Sequence, residues 1–195
     1  LPSADRQSEI IAAVLRLAAT TGPAGITTVE IARQLNLTQG AVFRHFPNKE
    51  AIWLAVMGWV AETLLARLAA ARDGAASPVA ALRALFMAHI RFVVAHPGVP
   101  RLIFNELQQP GDSPVKACVR SLLADYRRLL AALLDEAGQR GQLIVGLDQA
   151  AAATLFIGSV QGLVMQSMLL GSAEDMVLAA EPVFTLYLGA ISEAA

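Results

Sequence analysis

Residues 28–46 read TVEIARQLNLTQGAVFRHF, and the spacing inside this stretch decides the fold. Two short helices that cross steeply over a three-residue turn need a small side chain where they touch. Ala32 supplies it, four positions before Asn36. The turn itself needs a residue tolerant of positive φ, and Asn36 is the best choice after glycine. Ile31, Leu35, Leu37 and Val42 give the two helices a common apolar face. This is helix-turn-helix spacing, although an ordinary corner of two helices with no nucleic-acid role shares these features.

The residues that follow separate the two readings. Thr38 can cap the second helix, Gln39 follows it, and Gly40 lets the backbone approach a base edge or a phosphate closely. Arg44 and His45 stand one turn on, Phe46 turns back to the core, and Pro47 ends the helix. Asn48-Lys49-Glu50 then begins a long helix whose free N–H groups and positive dipole end suit a phosphate, with Lys49 adding charge. A short polar face of this kind suits a major groove.

At these residues the sequence resembles the TetR family of bacterial transcriptional regulators. The resemblance is carried by Gly25-Ile26-Thr27-Thr28-Val29-Glu30-Ile31-Ala32, by Leu37-Thr38-Gln39-Gly40-Ala41-Val42-Phe43-Arg44-His45-Phe46, and by Asn48-Lys49-Glu50-Ala51-Ile52. Beyond the first fifty-odd residues it rests on helix number, length and order, and on a His96-Pro97 junction. It implies that Thr28 and Thr38 contact phosphate, that Gln39 and Gly40 face bases, and that His45 and Lys49 hold the DNA backbone. Phe43 departs from the family, which usually has Tyr there, so thymine-methyl contact or core packing replaces a phenolic hydrogen bond. Arg44 fills a variable position suited to a phosphate or a guanine edge. Thr28 and Thr38 can equally be helix caps, and Arg16 and Arg33 lie on the outer face with no assigned role.

Outward from this stretch, helical spacing of apolar residues runs nearly throughout the 195 residues, and no hairpin signal interrupts it. The fold class is all-α, with about nine helices. A first helix spans about 5–19, a long one runs from Lys49 to about Arg72, and Ser77-Pro78 starts the next. His96-Pro97-Gly98-Val99-Pro100 opens a shorter helix ending near Gln109, and the segment from Pro110 to Pro114 leads to one closing at Gly138 or Gly141. Asp148 caps a helix running to Gly171, and Ser172 to Asp175 start the last. The organisation is a helix-turn-helix domain over 1–48 and a larger helical ligand-binding and dimerisation domain over 49–195.

Charge is distributed unevenly. The formal net charge is -1, with 55% hydrophobic and only 16% charged residues, which excludes disorder and a uniformly basic nucleic-acid binder. Residues 1–72 carry seven basic and five acidic side chains, residues 73–141 eight and six, and residues 142–195 none and five. Residues 1–50 hold five basic against four acidic side chains, which is weak for a DNA domain. Two-fold dimerisation would double the contacts, so reliance on paired half-sites is expected.

From Gln149 to Ala173 the chain carries no charge of either sign, and Gly158-Ser159-Val160-Gln161-Gly162 forms a GxxxG pattern. The length suffices to cross a bilayer. Against that stand Thr154, Ser159, Gln161, Gln166 and Ser167 around the wheel and no Lys or Arg anchor after Arg140. The expectation is no membrane span but a helix buried in an oligomer. With the final stripe of Val177, Leu178, Phe184, Leu188 and Ile191 it would form a four-helix homodimer interface through the last two helices, where the family dimerises. Pro182 either kinks the last helix or restarts it.

The middle helices hold Phe86, Met87, His89, Phe92, Phe104, Cys118 and Tyr126, aromatic and sulfur side chains that usually build core. The family resemblance implies a cavity there for a small molecule that releases DNA. Phe86, His89, Phe104, Tyr126, Gln161 and Met165 are its candidate lining, and few charges imply an uncharged or weakly polar effector.

Catalysis is not expected. The three histidines, His45, His89 and His96, form no His-x-x-x-His or Glu-x-x-His pair, and no phosphate loop or nucleophile elbow occurs. Cys118 is alone, which excludes an intrachain disulfide and a Cys-based zinc site, and neither metal nor cofactor is implied. The start, LPSADRQSE, has no apolar signal core, and the missing initiator Met suggests a trimmed start; a cytoplasmic home is expected. The rival to a double-stranded DNA operator as partner is a non-DNA helical adaptor. Whether an operator-binding protein of this kind represses or activates is left open, with repression the leading expectation.

Overall fold

Capping residues stand where the helices need them, and they set the boundaries. In the computed structural model, which describes residues 3–193, the helices are α1 (Ser3–Thr20), α2 (Thr28–Gln34), α3 (Gln39–Phe43), α4 (Lys49–Asp73), α5 (Pro78–Ala95), α6 (Gly98–Gln108), α7 (Pro114–Gln139), α8 (Gln149–Leu170) and α9 (Ala173–Ile191). One 3-10 turn, Pro23–Gly25, lies between the first two, and the described residues form no strand. Ser77 accepts from Ala80 N at 3.1 Å, Asp148 from Ala150 N and Ala151 N at 3.0 Å, and Ser172 from Asp175 N at 3.0 Å. Each satisfies an N–H that the first turn leaves unpaired. Gly171, at φ 74°, closes α8 in the left-handed conformation that glycine adopts without steric cost.

Pro182 lies inside an unbroken α9, so the restart expected as one alternative does not occur. The ring removes one N–H donor, and the carbonyl left over belongs to the turn of the exposed Leu178, where water can serve it.

The chain divides into two compact units. The first joins the residues up to Thr63 with His96–Leu122. Its core is Ile10, Val14, Ile26, Ile31, Val42, Ile52 and Val56, all closed to solvent. In this unit α6 packs on α1, and Gly98 makes the approach possible. A Cβ at Gly98 would lie 2.2 Å from the Leu15 carbonyl oxygen and 3.0 Å from Ala18 Cβ. Trp59 and His96 meet edge to face, ring centroids 5.0 Å apart.

The second unit joins Leu64–Ala95 with the residues from Leu123 onward. Here α8 packs on α9, and α5 packs on both. Their shared interior is a cluster of rings, with Phe86 at 5.3 Å from Phe156 and 5.5 Å from Phe184, and Tyr187 at 5.4 Å from Phe156. Arg83 of α5 clasps Glu181 of α9 through two hydrogen bonds of 2.7 and 2.6 Å.

Three described helices, Lys49–Asp73, Pro78–Ala95 and Gln149–Leu170, are long and apolar enough to cross a bilayer by length and composition. Two of them, α5 and α8, spend one face on the interior of the second unit.

Candidate nucleic-acid interface

The turn between α2 and α3 is fixed by a glycine-like conformation in an asparagine. Asn36 has φ 54° and is the one described non-glycine residue with positive φ. Leu37 N donates to Ala32 O at 2.8 Å and Asn36 N to Arg33 O at 3.2 Å, the paired bonds that close a helix through a left-handed residue. Ala32 is buried at the crossing, as its small side chain requires.

Two threonines begin the two helices. Thr27 caps α2, accepting from Glu30 N at 3.1 Å, and Thr38 caps α3, accepting from Ala41 N at 3.2 Å. Thr38 is therefore the cap expected of it, whereas the α2 cap is one residue earlier than Thr28. Thr28 is left with its hydroxyl free for another task. Its Oγ1 accepts from Gln39 Nε2 at 2.7 Å, which ties the start of α2 to the start of α3.

Around that bond the surface is open. Gln39, Gly40, Phe43 and Arg44 are exposed, and a Cβ built on Gly40 would meet nothing within 4 Å. Phe43 is 41% exposed, which places its ring outside the core and removes core packing as its role. Val29, beside Thr28 on α2, is a further apolar surface residue, 55% exposed, that its neighbour could have flagged in the sequence. Arg33 pairs with Glu30 on the outer face.

His45 is half-buried. Its carbonyl oxygen accepts from Gln7 Nε2 of α1 at 3.4 Å, and its Nδ1 is buried without a protein partner. Asn48 caps α4 by accepting from Ala51 N at 2.8 Å, and Lys49 Nζ lies 5.2 Å from the centroid of the Trp53 ring. The exposed Lys49 is thus steered by an aromatic face on its own helix.

The residues expected around an effector are not all brought together. Phe86, His89 and Tyr126 belong to the second unit, where His89 Nδ1 lies 3.3 Å from the Tyr126 hydroxyl and Tyr126 stacks edge-on against Phe156 at 6.2 Å. Burial pushes the His89 imidazole down to about 4 and the Tyr126 and Tyr187 phenols upward. Gln161 and Met165 instead lie on the exposed face of α8, whereas Phe156, Val160 and Leu163 are buried. Phe104 lies on α6, in the first unit. A shallow open depression in that unit is lined by Trp53, Met57, Leu102, Asn105, Glu106 and Val115. Tyr187, buried with an unpartnered hydroxyl, belongs to the ring cluster and carried no sequence signal beyond its apolar neighbours. Among the described residues no three His, Cys, Asp or Glu side chains converge as metal ligands.

The family model of bacterial regulatory proteins of the tetR family matches residues 10–56, the very helices that carry this surface, and that of the tetracyclin repressor-like C-terminal domain matches residues 78–183. The chain belongs to the TetR family. Similar proteins include the nucleoid occlusion factor SlmA of Idiomarina loihiensis, 24% identical over 162 residues that span 83% of each chain. The same factor from Shewanella putrefaciens is 22% identical over 165 residues, 85% of this chain and 84% of its own. In fold, this TetR-family chain matches the fatty acid degradation regulator FadR from Bacillus halodurans with TM-score 0.84, at 21% identity, over 97% of this chain and 96% of that one. A TetR transcription regulator from Haloarcula marismortui matches equally, TM-score 0.84 at 18% identity, over 97% and 100%. The resemblance read from residues 25–52 is thereby established as membership, and the protein is an all-α TetR-family transcriptional regulator with an N-terminal helix-turn-helix.

Proposed function

We propose that this TetR-family regulator is a cytoplasmic repressor that binds a palindromic operator as a homodimer and lets go when a small apolar or weakly polar molecule binds. The observation that carries the DNA reading is the edge where the exposed Thr38, Gln39, Gly40, Phe43 and Arg44 stand with the half-buried Thr28, joined to Gln39 by a hydrogen bond. Thr28, Thr38, His45 and Lys49 hold phosphates, Gln39 and Gly40 face bases, Phe43 meets a thymine methyl, and Arg44 takes a phosphate or a guanine edge. The DNA-binding domain is 1–48, and 49–195 holds the effector and the partner copy.

Dimerisation is supported by the outer face of α8 and α9. Leu155, Met165, Leu169, Val177, Leu178 and Leu186 are all exposed there, Leu169 to 77%, Leu178 to 74% and Leu186 to 76%. A soluble chain seldom leaves so many large apolar side chains together in water. Gly158 and Gly162 lie one turn apart on α8 and would let a second helix approach closely.

The effector reading is supported by Phe86, His89 and Tyr126, a polar pair set among buried rings. The Bacillus subtilis FadR structure is of a complex with stearoyl-CoA, which joins a long apolar acyl chain to a charged CoA part, so only its acyl part parallels this reading. A ligand that favours a geometry in which the two recognition helices no longer match successive major grooves would release the operator.

The test is a mobility shift against DNA upstream of the protein's own gene. A shift with wild type that Gln39→Ala and Lys49→Ala both weaken is expected. No shift at low salt, with both variants behaving as wild type, would overturn it in favour of a helical adaptor. The SlmA relatives favour a second reading, nucleoid occlusion, through the same DNA-binding edge. Mapping bound sites in cells separates the two: a few promoter sites support regulation, and sites spread along the chromosome outside promoters support occlusion.

A further inference from the structure

The bond from Gln39 Nε2 to Thr28 Oγ1 constrains what Gln39 can present to DNA. A hydroxyl has one proton to give, whereas the oxygens of a DNA phosphate only accept. When Thr28 meets a phosphate, its proton goes there and Oγ1 is left as an acceptor. The Gln39 amide must then turn its NH2 toward Thr28, which is the orientation in the free protein. What remains for a base edge is Oε1 and the second N–H, side by side.

One acceptor next to one donor matches adenine, which offers its N6 amino group beside the N7 acceptor in the major groove. Guanine offers two acceptors there, N7 and O6, and would leave Oε1 facing an oxygen. Thr28 is free for this task because Thr27 supplies the α2 cap. The exposed position of Gln39 and the absence of anything near the Gly40 Cβ position leave room for a base edge.

We propose that Thr28 fixes the amide of Gln39 so that each half-site is read as adenine and not guanine at one position. Thr28 is then a specificity-determining residue that touches no base. This rests on the DNA-binding reading above. Phosphate, hydroxyl, amide and the adenine N6 amino group form one chain of hydrogen bonds whose donors all point toward the phosphate, with the second Gln39 N–H donating back to N7, so the links strengthen one another.

The test is selection of bound duplexes from a random library by the full chain, with Gln39→Ala, Thr28→Val and Thr28→Ser beside wild type. Wild type and Thr28→Ser should prefer adenine over guanine about tenfold at one position per half-site, the discrimination of a good bidentate contact. Gln39→Ala should erase the preference at that position alone. Thr28→Val, which keeps the shape and loses the hydroxyl, should let the amide turn and bring the preference to about twofold or less, with unchanged melting temperature. Guanine at the Gln39-dependent position in wild type, or a tenfold preference kept by Thr28→Val, would overturn the proposal. So would a selected palindrome with no position that responds to Gln39→Ala, which leaves the DNA-binding reading intact. If wild type selects no sequence, that reading fails and this one with it.

Discussion

The edge formed by α2 and α3 and the outer face of α8 and α9 are both exposed, yet they are built on opposite principles. The first is short, polar and fixed by named hydrogen bonds: Thr27 and Thr38 cap, Asn36 turns, and Thr28 holds Gln39. The second is long and defined by what it lacks, since residues 142–195 contain no Lys or Arg and α8 no charge at all. A surface that must meet DNA specifies donors and acceptors one by one. A surface proposed to meet its own copy relies on apolar side chains and on keeping charges to its margins, because burying an unpaired charge costs several kcal/mol.

The largest effect is expected at the outer face of α8 and α9. Leu178→Glu with Leu186→Glu should convert a dimer into a 20.6 kDa monomer in sedimentation at micromolar concentration. Operator affinity should fall by roughly 100-fold or more, because the second half-site is no longer held near by the first. A double variant that stays dimeric and binds DNA as wild type would remove α8 and α9 from the interface.

The next effect belongs to the first unit, which is held by close fit and not by charge. Gly98→Ala places a Cβ against the Leu15 carbonyl and should destabilise by about 2 kcal/mol in urea titration, the usual cost of overpacking. An unchanged midpoint would mean that α6 does not lean on α1 in this way.

Acid should act on the second unit. The folded pKa of His89, about 4, lies below the unfolded value of 6.5, so the unfolded chain takes up its proton first as pH falls. The stability contributed by neutral His89 is complete above pH 6.5 and is lost as pH falls toward 4. Between pH 7.5 and 5 a loss of about 1–2 kcal/mol is expected, and His89→Gln, which keeps a hydrogen-bonding group and does not titrate, should flatten that slope. A variant with the wild-type slope would place the acid sensitivity elsewhere.

The smallest expected effect lies at the turn between α2 and α3. Asn36→Ala puts at φ 54° a residue without the short polar side chain that lets asparagine tolerate the left-handed region, and should cost about 1 kcal/mol, while Asn36→Gly should be close to neutral. Chemical denaturation distinguishes the two outcomes.

Much of the front was legible in the sequence because its demands are local. A turn with positive φ, a small residue at a crossing and an oxygen at a cap each restrict one position to a few residue types, and Asn36, Ala32 and Thr38 meet them. The α2 cap was placed one residue late because Thr27 and Thr28 are chemically equal and only the backbone distinguishes them. In the second unit the signal was weaker for a physical reason. With no charge on α8, its inward and outward faces differ only in detail, so Gln161 and Met165 could be read as inward although they face solvent. The place of α6, and with it Phe104, follows from a contact between residues about eighty positions apart that no local pattern encodes.

On the proposed function, two copies of the α2–α3 edge, paired through the outer face of α8 and α9, read DNA together. Hydroxyl-radical footprinting of a selected duplex tests it most directly. Two protected patches on one face of the DNA, about one helical turn or a multiple of it apart and related by two-fold symmetry, are expected, with both lost together in Leu178→Glu/Leu186→Glu. A single patch, or protection that the Leu178→Glu/Leu186→Glu substitutions leave unchanged, would contradict it.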